Sequence, residues 1–224
     1  MSYEGTRARV ETYFDSTATR TWERLTSDAP VSKIRQTVRA GRDAMRDTLL
    51  SDLPADMSGL RVLDAGCGPG QFTEVLAERG AEVFAIDISP SLIGIAEQRL
   101  PQRLRPRVTF AAGDMLATPQ GQFDHIFAMD SLIYYDQDDV RIALDRLSSA
   151  HNPQTIRFTV APKTTLLMAM WYAGKLFPRS DRSPTMIPHS ATRLSRHLDG
   201  LGRVRDLGRV QSGFYISHAM ELRP

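Results

Sequence analysis

A single cysteine, Cys67, occurs in 224 residues, so no internal disulfide can form and nothing argues for an oxidising compartment. No apolar run approaches the roughly 20 residues that a membrane-spanning helix needs. The longest, "LLMAMWYAGKLF" from Leu166 to Phe177, is short and carries Lys175. The charged N-terminus "MSYEGTRARVETYF" has no secretory apolar core. Net charge is only +2, which gives no bulk attraction to nucleic acid. These absences predict a cytoplasmic globular protein, with peripheral contact to a membrane surface as an alternative. They exclude a disulfide scaffold, and nucleic acid is not an expected partner.

The charge is unevenly spread. From Arg157 to Arg209 there are ten Lys/Arg against three acids, Asp181, Asp199 and Asp206. Such a stretch fits an anionic substrate, an acidic partner, a membrane surface or simply a solvated basic face.

Residues 1–57 read as helical. In "SKIRQTVRAGRDAMRDTLL", Ile34, Val38, Met45 and Leu49 fall near one helical face. Beyond Pro54 and Gly59 the pattern changes to alternating strands and helices. "RVLDAG", "EVFAID", "RVTFAAGD", "FDHIFAMD" and "TIRFTVAP" are short apolar strands. Helical segments such as "QFTEVLAERG" and "QDDVRIALDRLSSA" lie between several of them. This alternation predicts an α/β fold with a mostly parallel sheet covered on both faces. "RVRDLGRVQ" and "GFYISHAMELR" read as a closing hairpin, and 163–200 as a helical insertion forming a lid.

The first strand runs into "DAGCGPG", three glycines in a strand-to-helix turn. Ligands bind at the carboxyl ends of strands in such sheets. Gly66, Gly68 and Gly70 allow a tight turn and close approach of a ligand to the backbone. The G-x-G-x-G spacing differs from the dinucleotide G-x-G-x-x-G, and Asp64 just before it would repel phosphate but attract an ammonium group. Asp87 ends the second strand, where a carboxylate can accept both hydroxyls of a ribose. "GDM" ends the third, placing Asp114 for an adenine amino group and Met115 for the ring face. Cys67 reads as a small filler, and no protein metal site is expected.

"VLDAGCGPGQFTEVLAERGAEVFAIDIS" together with "GDM" resembles the cofactor half of class I S-adenosylmethionine-dependent methyltransferases over roughly 60–162. The resemblance implies a Rossmann-like seven-stranded sheet with an antiparallel last strand, N-terminal helices and a helical lid. Residues 1–57 would be an arm closing over the cofactor and 58–224 the catalytic domain. S-adenosylmethionine would lie against Asp64, Ala65, Gly66, Gly68, Gly70, Asp87, Ile88, Asp114 and Met115, with Met129 at its sulfonium side. S-adenosylhomocysteine would be the product.

The flanks "YFDSTATRTWERL", "FTVAPKT", "GKLFPRSDRSP" and "SGFYISHAMEL" resemble the magnesium-protoporphyrin IX O-methyltransferase family of chlorophyll and bacteriochlorophyll synthesis. That implies methylation of the ring-13 propionate, with magnesium present only in the substrate. A flat apolar substrate with anionic edges fits an apolar slot with a cationic rim. Trp22, Met170, Trp171, Phe177, Arg179 and Arg182 are the expected substrate contacts, and Tyr134, Tyr135, His189 and Tyr13 the expected catalytic groups. Tyr13, Trp22 and His189 fit plain structural roles equally well. The family carries a histidine at the place of Tyr134 and a tyrosine at the place of Thr26. A propionate with a pKa of roughly 4.3 is already ionised at neutral pH and needs no strong base. The resemblance also implies the large porphyrin-binding subunit of magnesium chelatase as a partner. Methylation of another small molecule, such as a quinone precursor, and a non-catalytic porphyrin escort are the competing readings.

Overall fold

The computed structural model describes residues 3–14, 33–118, 121–164 and 186–224. Among the described residues, helices α1 (Tyr3–Tyr13) and α2 (Lys33–Leu50) precede the first strand. The strands are β1 (Arg61–Ala65), β2 (Glu82–Asp87), β3 (Val108–Ala112), β4 (His125–Ala128), β5 (Thr155–Val160), β6 (Arg203–Ser212) and β7 (Tyr215–Arg223). They form one sheet of order β3-β2-β1-β4-β5-β7-β6. The first five are parallel, and β7 runs antiparallel to both β5 and β6. β4 and β5 are buried along their whole length, as expected for strands covered on both faces.

Helices α3 (Gln71–Glu78), α4 (Pro90–Arg99), α5 (Gln137–His151) and α6 (Ala191–His197) follow their sequence signals. Ser89 caps α4, its hydroxyl accepting from the Leu92 N–H at 3.3 Å, with Pro90 in the first turn. Asp136 caps α5 by accepting from the Asp138 and Asp139 N–H groups. On α2, Met45 and Leu49 are fully buried; the Ile34 side chain lies outside the described residues. The helix packs on β6 and β7.

One buried charge cluster fixes that packing. The Arg157 guanidinium on β5 is fully buried and donates to Glu221 of β7 at 2.8 Å. It also donates to the carbonyls of Leu49 and Ser51 at 2.7 Å, so it satisfies the open C-terminal end of α2. Asp52 completes the arrangement by accepting from Arg157 at 2.8 Å. Among the described residues no helix is long and apolar enough to cross a membrane. The lid expected at 163–200 lies largely outside the described residues, which resume at Met186 and include α6.

Candidate active site

The glycines of the first turn do different jobs. Gly66 has φ +85°, and a Cβ there would sit 2.4 Å from the Ser131 Cβ, so it lets the turn after β1 touch the segment after β4. Gly70 packs against Ala96 of α4, where an added Cβ would lie 2.9 Å from its Cβ. Gly68 alone of the three has open space where a Cβ would point. Its N–H donates to Asp87 Oδ2 at 2.8 Å, while Asp87 Oδ1 accepts from the Ser89 N–H at 2.9 Å. Asp87 thus pins the turn from the end of β2. Gly113, donating to the Asp87 carbonyl at 2.8 Å, ties in the turn after β3.

These three turns form one wall of a concavity, and α1 forms the opposite wall. Asp87, Ile88, Asp114 and Met115 line the sheet side; Tyr3, Arg7, Val10 and Phe14 line the α1 side. The Tyr3 hydroxyl donates to Asp114 Oδ1 at 2.7 Å and Arg7 Nη1 to Oδ2 at 3.0 Å. The Tyr3 ring stacks on Tyr135 with centroids 4.9 Å apart. Burial, followed by the charge of Asp114, raises the Tyr135 phenol well above its ordinary range. Tyr3 is raised as well, chiefly by burial. Both therefore act as neutral hydrogen-bonding groups.

Asp64 sits behind this wall at the end of β1, 1% exposed. The Thr73 hydroxyl donates to it at 2.6 Å. Burial pushes its carboxyl up to about 7, against the opposing pull of Thr73. Ala65 is buried beside it.

The α1 residues Tyr3, Arg7, Val10 and Phe14 were not expected on this wall, and neither were Asp130 and Arg42. Asp130 follows Met129 past β4 with φ +57°, a conformation rare outside glycine that marks stored backbone strain. Its backbone N–H donates to Thr159 Oγ1 at 2.8 Å, and Tyr215 Oη donates to its carboxylate at 3.1 Å. Arg42 of α2 approaches the same carboxylate at 3.8 Å. A strand-end carboxylate beside Met129 was a usable signal for Asp130. No local pattern distinguishes Arg42 from its neighbours on α2.

The expected catalytic groups divide. Tyr134, in the 3-10 helix Leu132–Tyr134, and Tyr135 both line the pocket. Phe14 meets Tyr134 edge-on, with centroids 6.2 Å apart. Tyr13 is not on that wall; it packs edge-on against Phe14. His189 lies behind Tyr135, 7% exposed, its Nε2–H donating to the Tyr135 carbonyl at 2.9 Å. Burial lowers its pKa, so the imidazole is neutral. Trp22, Thr26, Met170, Trp171, Phe177, Arg179 and Arg182 lie outside the described residues. Cys67 is buried, and burial pushes its thiol up, away from the reactive thiolate. No group of three or more potential metal-ligating side chains occurs among the described residues.

A sheet of this order, with a glycine turn after β1 and carboxylates at three successive strand ends, defines a class I methyltransferase. Residues 62–154 match a sequence model described as a methyltransferase domain, and 128–224 match one described as the magnesium-protoporphyrin IX methyltransferase C-terminus. The magnesium-protoporphyrin O-methyltransferase of Rhodobacter capsulatus is 56% identical over 99% of this chain and 98% of its own length. That of Synechocystis sp. is 31% identical over 95% of this chain and 94% of its own. The crystal structure of magnesium protoporphyrin IX methyltransferase from Synechocystis with bound S-adenosylhomocysteine superposes with a TM-score of 0.83 at 29% identity, covering 98% of this chain and all of that one. The chain belongs to the magnesium-protoporphyrin O-methyltransferase family.

Proposed function

We propose that the protein transfers a methyl group from S-adenosylmethionine to the ring-13 propionate of magnesium protoporphyrin IX, giving the monomethyl ester used in bacteriochlorophyll synthesis. The observation that carries this reading is the full-length similarity to the Rhodobacter capsulatus enzyme, which extends through 128–224, beyond the cofactor half that many methyltransferases share. A quinone-precursor substrate or a silent escort has no comparable support.

The pocket fits the cofactor. Gly68 leaves backbone-close space, Asp87 stands beside it as acceptor, and Ile88 and Met115 provide apolar faces. In this reading Asp87 holds the ribose hydroxyls, Asp114 and Met115 the adenine, and Asp64 the ammonium group behind Gly66. When bound, S-adenosylmethionine supplies a methyl group already activated by its sulfonium charge.

The chain then has three tasks. It must orient the carboxylate, exclude water and avoid quenching the nucleophile. A propionate is ionised at neutral pH, so no residue has to remove a proton. Tyr135 stays protonated and serves as a weak donor rather than a base. Tyr134 and Phe14 pack edge-on and, with Met129, supply apolar surface to the pocket lining. Positioning of this kind contributes several kcal/mol by replacing a bimolecular encounter, on the order of 7 or more in favourable cases. Magnesium belongs to the substrate.

For partners, Arg196 and Arg203 remain exposed in the basic stretch. They support docking of an acidic surface, for which the large porphyrin-binding subunit of magnesium chelatase is the proposed donor. The test of the reaction itself is product analysis: incubation with labelled cofactor and magnesium protoporphyrin should yield one label per porphyrin, as an ester at ring 13. Tyr134→Phe should lower kcat more than it weakens cofactor binding. A label at any other position would overturn the assignment.

A further inference from the structure

The basic stretch that stood out in the sequence is divided by the fold. Arg157 is spent inside the protein on Glu221 and α2. Arg205 faces Asp52 at 2.6 Å and Glu221 at 3.2 Å. Three of the remaining cations, Lys163, Arg193 and Arg209, converge with His218 on a single open cleft beside the end of β5. Among the described residues no carboxylate lines this cleft. Asp206 is 2.8 Å from His218 Nε2 but is not among the lining residues.

The cleft is rigidly placed relative to the active site. Arg209 and His218 are cross-strand partners of β6 and β7, and His218 pairs with Val160 of β5. Lys163 N–H donates to the His189 carbonyl at 2.8 Å, and His189 N–H to the Ala161 carbonyl at 2.7 Å. His189 itself lines the cleft, while its ring is bonded to the Tyr135 carbonyl. One residue therefore separates the wall of the methyl-transfer pocket from a concave cluster of cations.

Protoporphyrin carries two propionates, on neighbouring pyrrole rings. Only one is methylated. With the reacting carboxylate at Tyr134 and Tyr135, the other anion must lie a short span away, on the same edge of the disc. We infer that the cleft of Lys163, Arg193, Arg209 and His218 receives the unreactive propionate and so selects which carboxylate meets the methyl group. This rests on the porphyrin substrate proposed above. The separation has a chemical reason. A cationic clamp on the reacting oxygen would reduce its nucleophilicity. Strong anchoring therefore belongs on the other carboxylate, with only weak neutral donors at the reacting one.

The test compares two substrates: magnesium protoporphyrin with both acids free, and the same porphyrin already esterified at ring 17. The readout is the ratio of kcat/KM for the diacid over the 17-ester, in wild type and in the triple variant Lys163→Ala, Arg193→Ala, Arg209→Ala. S-adenosylhomocysteine affinity and the melting temperature report folding. The ratio should fall by about tenfold in the triple variant, the product of three solvent-reached ion pairs of a few-fold each. An unchanged ratio overturns the inference, whether both rates drop together or neither does. Unchanged ratio with lost binding to phosphatidylglycerol vesicles would assign the cations to a lipid phosphate instead. Wild type inactive on both porphyrins would sink the substrate reading itself, and this inference with it.

Discussion

Tyr3 donates its hydroxyl to Asp114 at 2.7 Å across 111 positions of sequence, and this bond, with Arg7 on the second carboxylate oxygen, fastens α1 over the cofactor pocket. Asp114 is also the acceptor expected to read the adenine. The same carboxylate thus links closure of the arm to occupancy of the adenine end. Tyr3→Phe removes one hydrogen bond, worth about 1 kcal/mol, and should speed S-adenosylhomocysteine dissociation about fivefold. Stopped-flow displacement measures it. An unchanged off-rate would mean that α1 does not gate release.

Asp64 gives the cofactor affinity a pH dependence. Its folded carboxyl is raised to about 7 from an ordinary value of 3.8. A raised folded pKa means stability that is complete below the unfolded value, lost as pH rises through 4 and fully gone above the folded value. Binding an ammonium reverses the preference, because it requires the ionised carboxylate. Affinity for S-adenosylmethionine should therefore weaken by up to about tenfold per pH unit below the folded value. It should weaken again above about pH 8, as the ligand's own α-amino group loses its proton. Calorimetric titrations across this range should show the acid limb in wild type and its loss in Asp64→Asn. A flat wild-type profile would remove Asp64 from the ammonium site.

The two turn glycines predict opposite failures. Gly66→Ala forces a methyl into Ser131 and should prevent a folded pocket. Gly68→Ala meets no atom, but its φ of +55° costs about 1–2 kcal/mol, and the methyl occupies ligand space. It should fold with a modestly lower melting temperature and bind cofactor at least tenfold more weakly. Equal affinity in Gly68→Ala and wild type would place the ligand away from this turn.

Arg157 predicts a stability effect without a binding effect. Arg157→Met leaves Glu221 buried, with Arg205 and Arg223 as its remaining cations. It also leaves the Leu49 and Ser51 carbonyls without their donor. Loss of about 3–5 kcal/mol should appear in urea unfolding. Cofactor affinity of the folded fraction should be unchanged.

Much of this was legible in the sequence because it is encoded locally. The glycine turn, Asp87, "GDM" and the strand–helix alternation each depend on residues close together in the chain. Side-chain convergence across long separations was not legible. Nothing near Tyr3 or Arg7 announces that they meet Asp114, and just past the end of α1 it is Phe14, not Tyr13, that reaches the pocket. Likewise, one stretch of positive charge contains both the most buried cation of the core, Arg157, and the exposed cations of the cleft. His189 carried a mechanistic look by its position, but its ring is anchored to a backbone carbonyl behind Tyr135.

The most direct measurement of the central claim is methyl transfer from labelled S-adenosylmethionine to three acceptors: magnesium protoporphyrin IX, metal-free protoporphyrin and a catechol quinone precursor. The account predicts transfer to the magnesium porphyrin and little to the others. Transfer to the catechol alone would keep the fold and the cofactor pocket but contradict the porphyrin substrate.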